Sequence, residues 1–171
     1  GLCADADYFV TIAKLRAARS LWARLAAACG ADPTARIEAR SSGRMLTAKD
    51  AWTNMIRLTA AGFAAAEGGA DTVTLGNLTD ALGLPTEFAR SQSRNTQLVL
   101  MEEAHVGRVA DPAAGSGYVE ALTDESARAA GAQGQAIEAV GGIVAALGAG
   151  QIARGVLAAV EGRPEPKIIV V

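Results

Sequence analysis

Arg36 to Leu75 reads RIEARSSGRMLTAKDAWTNMIRLTAAGFAAAEGGADTVTL and divides into strand, helix and strand. Arg36–Ser42 is short and placed as a strand, although Glu38 and Ala39 are weak β-formers. Thr47-Ala48-Lys49-Asp50 fits the Ser/Thr-x-x-acid pattern of a helix start. Trp52, Met55, Ile56, Thr59, Ala60 and Phe63 follow at helical spacing and predict one buried stripe. Gly68-Gly69 closes this helix, and Thr72–Leu75 supplies the second strand. Strands joined through a helix of this length imply parallel pairing by a crossover.

The pattern extends in both directions. Upstream, Asp5–Ala28 places Phe9, Ile12, Ala13, Leu15, Ala17, Leu21, Leu25 and Ala28 at mostly three- and four-residue intervals, which predicts an amphipathic helix stopped by Gly30. Downstream, Pro85-Thr86-Glu87 opens a helix to about Glu103, and Val106–Ala110 is a further candidate strand. The loop Asp111–Gly117 leads into a helix from about Glu120 to Val140. After Gly141-Gly142 an alanine-rich helix runs to about Glu161. Residues 162–167 then form a linker before Ile168–Val171. Three or four parallel strands are fewer than the eight of a closed barrel of typically about 250 residues. The expected fold is therefore α/β: a partial TIM-type (β/α) barrel over residues 1–161, with a tail at 162–171.

Composition narrows the function classes. Half of the 171 residues are hydrophobic and 20% are charged, the profile of a globular unit. Sixteen basic against eighteen acidic residues leave no positive excess to bind phosphate backbones, so a nucleic-acid partner is excluded. No basic-then-apolar leader and no membrane-length apolar stretch are visible. Cys3 and Cys29 are too few and too widely spaced for a disulfide framework or a four-ligand zinc site, and a reducing cytoplasm or organelle matrix is the expected compartment.

The small residues Gly115, Ser116 and Gly117 could let backbone N–H groups approach an anion; the alternative is a strand-to-helix turn that needs glycine geometry. His105 is the only histidine, which excludes a multi-histidine metal site, and no metal ligand is assigned. Its surroundings, Glu103-Ala104-His105-Val106-Gly107-Arg108, miss the D-x-H-x-x-G pattern at two positions and suit a helix-end histidine. Arg90, Arg94, Glu102 and Glu103 read as the charged face of an amphipathic helix, and Cys29 as structural.

Several stretches together resemble one family, the methylmalonyl-CoA mutases. They are Ile12–Ala23, Ser42–Ala48, Asn54–Arg57, Ala81–Pro85, Arg94–Leu100, Val109–Ser116 and Tyr118–Thr123, in family order from about Leu2 to about Leu147. The resemblance implies a barrel threaded by an acyl-CoA and capped by adenosylcobalamin, which is held on a separate C-terminal domain; the cofactor supplies the radical chemistry and the protein positions and shields it. The chain resembles the later strands of that barrel.

Departures from the catalytic pattern are informative. A family Q-T-S-G corresponds to Arg40-Ser41-Ser42-Gly43, a histidine two residues earlier to Glu38, and H-T-N-A-L-D-E-A-L to Thr74–Leu82, which puts Asp80 where a glutamate faces the cofactor. These changes resemble the small, non-catalytic subunit. The resemblance therefore implies an adenosylcobalamin-dependent isomerase assembly, with this chain binding no cofactor alone and a catalytic mutase subunit or another copy of itself as partner. In a catalytic fragment, the alternative, Arg40, Ser41, Asp80 and Gly83 would face the cofactor; in a scaffold module the CoA channel alone would be used. Half a barrel should also expose two strand edges and an apolar interior face, which predicts a partner, most simply a two-fold homodimer.

Overall fold

The computed structural model describes residues 1–162. The rest of the expected linker and the apolar end Ile168–Val171 lie outside the described residues. Two compact units are present, Gly1–Arg128 and one beginning at Ala129.

The first unit runs β1 (Leu2–Ala4), α1 (Tyr8–Ala28), β2 (Glu38–Ser41), a 3-10 turn (Gly43–Met45), α2 (Ala51–Glu67), β3 (Thr72–Thr74), α3 (Glu87–Leu98), a π-type segment (Val99–Glu103) and the start of α4 (Gly117–Glu138). The strands form one parallel sheet in the order β1-β2-β3, with Leu2 beside Ala39 and Ala39 beside Val73. The parallel α/β expectation holds, with three short strands; a barrel is not formed among the described residues. β1 escaped the sequence reading because Leu2-Cys3-Ala4 is too short to show alternation.

Alternation along each strand separates two faces. Ala4, Ala39 and Ile37, with Leu2 and Val73, pack against Leu15 of α1 and Ala61 and Ala65 of α2 in one core cluster. Cys3, Arg40, Thr72 and Thr74 are exposed on the other face, beside half-buried Glu38. The uncovered face is polar, which corrects the expectation of an apolar interior.

α2 is turned relative to its expected orientation. Its buried residues are Asn54, Leu58, Ala61, Gly62, Ala64 and Ala65, while Trp52 and Ile56 are 60% and 69% exposed. Close approach decides this orientation. A Cβ on Gly62 would lie 3.1 Å from Leu75 Cδ1, and one on Gly68 would lie 2.9 Å from Leu15 Cδ1. At these two positions even a methyl group would crowd Leu75 beyond β3 and Leu15 of α1, so α2 turns its small residues inward and the bulky stripe faces outward. Phe63 is half-buried and stacks on Tyr8 with ring centroids 5.6 Å apart. Phe63→Ala is accordingly expected to cost about 1 kcal/mol, the scale of one aromatic pair, and a urea-measured loss of 3 kcal/mol or more would place it in a core instead.

Local chemistry sets the helix ends. Asp7 caps α1, Asp50 caps α2 by accepting from Trp52 N at 3.0 Å, and Thr86 caps α3. Thr47 is not the cap of α2, because its backbone is bound to Asn54 and its hydroxyl accepts from Lys49 N. Val106–Ala110 is not a strand. Val106 and Gly107 lie with Val73 around a cavity of about 490 Å3 at the edge of β3, without pairing to it. The following residues are instead held on α1, where Val119 joins Ile12 and Ala64 in a cluster and Arg16 binds Asp111 and Glu120.

In the second unit, the expected break at Gly141-Gly142 is present, with both glycines at positive φ. The last helix is itself broken, into α5 (Gly142–Gly148) and α6 (Gln151–Glu161), because Gly150 adopts φ 69°. Among the described residues no single helix is long and apolar enough to cross a membrane.

Candidate functional site at the strand ends

In parallel α/β layers the reactive groups gather where strands run out at their carboxyl ends. Here those ends carry Asp5 after β1, Ser41 and Arg44 at β2, and the loop Gly76–Asp80 after β3. Their polar side chains are bound to one another. Asp5 pairs with Arg44 at 2.9 Å. Ser41 Oγ accepts from Gly76 N at 2.7 Å. Asp80 accepts from Asn77 N at 2.7 Å and from the Asn77 side-chain amide at 3.0 Å, so both carboxylate oxygens are engaged.

Of the residues singled out in the sequence, Ser41 and Asp80 come together across Gly76. A Cβ there would sit 2.8 Å from Asp80 Oδ2 and 3.3 Å from Ser41 Oγ. Gly76→Ala is therefore expected to expel Asp80 from its turn and cost about 1–2 kcal/mol in chemical denaturation, whereas an unchanged midpoint would show that the loop yields freely. Arg40 is not part of this group: it points to the polar sheet face and pairs with Glu38 at 2.7 Å. Gly83 adopts φ 130°, open only to glycine, with nothing within 4 Å of its Cβ direction.

The loop at Gly115, Ser116 and Gly117 stands apart from the strand ends. Gly115 N donates to Glu120 Oε1 at 3.1 Å, so the chain's own carboxylate occupies this backbone N–H. Arg16 and this N–H together hold the Glu120 carboxyl below its ordinary range, the arginine contributing most. His105 is exposed, just beyond the π-type segment, at φ 55°. Arg90, Arg94, Glu102 and Glu103 are exposed as expected. Among the described residues no three histidine, cysteine or acidic side chains converge to hold a metal.

Two residues central to the arrangement were missed in the sequence. Asn54, fully buried in α2, accepts from Thr47 N at 2.8 Å and donates to Thr47 O and Leu78 O at 2.8 and 2.9 Å, which ties the loop after β2 to the loop after β3. Arg16 lies between the apolar positions of the amphipathic helix expected over Asp5–Ala28, yet its side chain is only 12% exposed. A polar residue inside an otherwise apolar helix was the available signal for Asn54; nothing local marked Arg16.

These features define a parallel α/β segment whose helices cover one sheet face and whose polar groups gather at the strand ends. The chain belongs to the methylmalonyl-CoA mutase family, which it matches over residues 2–164. It is 52% identical over 151 residues to the methylmalonyl-CoA mutase small subunit of Streptomyces virginiae, covering 87% of this chain and 24% of that protein. The small subunit of Propionibacterium freudenreichii subsp. shermanii is 45% identical over 145 residues (82% of this chain, 23% of that one), and the large subunit of the same organism 40% identical over 145 residues (82% and 20%). The chain thus spans about a quarter of the length of these relatives.

Proposed function

We propose that this chain is the later part of the acyl-CoA barrel of a mutase small subunit, a non-catalytic partner of a cytoplasmic catalytic subunit that isomerises an acyl-CoA with adenosylcobalamin. The observation that carries this reading is the closed set of bonds at the strand ends. Asp80 has both oxygens on Asn77, Ser41 is bound to Gly76, and Arg40 points to the opposite side of its strand, so these residues do not fit a bound cofactor. The small-subunit names of the relatives and the higher identity to the small than to the large Propionibacterium subunit support the same reading. The polar sheet face of Cys3, Glu38, Arg40, Thr72 and Thr74 supports a role as one wall of the acyl-CoA channel in a complete barrel.

Two measurements test it. Co-expressed with a mutase large subunit, the chain should co-purify with it, and titration of the isolated chain with adenosylcobalamin should leave the corrin spectrum unchanged. Stoichiometric binding with a shifted corrin spectrum would establish instead the catalytic alternative, with Arg40, Ser41, Asp80 and Gly83 rearranged toward the cofactor.

A further inference from the structure

We draw no further inference here: the strongest candidate, the cavity of about 490 Å3 where Gly62 of α2, Val73 of β3 and Arg94 of α3 meet, lies along an edge strand in a chain that spans about a quarter of the length of its relatives, and nothing in the structure shows what fills or covers it.

Discussion

Asn54→Leu is expected to destabilise the chain by about 3 kcal/mol in urea or guanidinium unfolding. The side chain is fully buried and makes three hydrogen bonds, to Thr47 N, Thr47 O and Leu78 O. Leucine has the same branched skeleton of side-chain heavy atoms but leaves these backbone groups without partners, and each unsatisfied buried group costs about 1–3 kcal/mol. The total falls below three full penalties because half-buried Thr47 can recruit water. Asn54→Asp sharpens the test. An ionised carboxylate keeps the bond from Thr47 N but opposes the carbonyl oxygens of Thr47 and Leu78, whereas the protonated acid can donate to one of them. The Asp variant should therefore recover stability as pH falls, and the Leu variant should not. Hydrogen exchange at Gly76 and Asn77 should quicken in both, because Asn54 fixes the loop that carries them. A loss below 1 kcal/mol for Asn54→Leu would mean the network is not a structural tie.

The orientation of α2 shows what a single sequence leaves unread. Two stripes of helical period run along the same seventeen residues: Trp52, Met55, Ile56, Thr59 and Phe63 on one side, Asn54, Leu58, Ala61, Gly62 and Ala65 on the other. Periodicity gives both equal standing, and size favours the first. Packing reverses the choice, since even a methyl group would crowd Leu75 at Gly62 and Leu15 of α1 at Gly68. The smaller stripe buries less apolar area, yet it brings backbones close and lets Asn54 reach both loops. By contrast, the helix–strand alternation and the start of α3 at Thr86 were legible, because each depends on residues adjacent in sequence, whereas the start pattern at Thr47 lies three residues before the true cap of α2, Asp50. At the candidate site, Ser41 and Asp80 were found through resemblance, but their shared neighbour Gly76 was not. It matters only through a close approach between residues 35 positions apart.

Val106–Ala110 failed as a strand for a long-range reason as well, and that reason yields the second large prediction. Arg16→Met should destabilise the chain by about 2–3 kcal/mol and expose residues 104–123 to exchange and proteolysis. All five N–H groups of the guanidinium are directed at acceptors. Nε and Nη2 hold Asp111 at 2.8 and 2.9 Å, Nη2 and Nη1 hold Glu120 at 2.8 and 3.3 Å, and Nη1 reaches Thr123 Oγ1 at 3.0 Å. The carboxylates are about half exposed, which reduces the Coulomb contribution; the covered guanidinium and its fixed bond geometry carry most of the effect. Asp111 sits at φ 47°, a conformation costly for a residue other than glycine, so losing the clamp also releases strain that favours a different path for this segment. Lysine keeps the charge but not the fork, so Arg16→Lys should recover less than half of the loss. The pH dependence has a definite sign. Glu120 is held below its ordinary range when folded, so its contribution is present above about pH 4.5 and is lost as pH falls through the lowered value; the gap between wild type and Arg16→Met should narrow there. Full recovery by lysine, or a gap independent of pH below 4.5, would show that Arg16 acts through packing of its stem and not through the clamp.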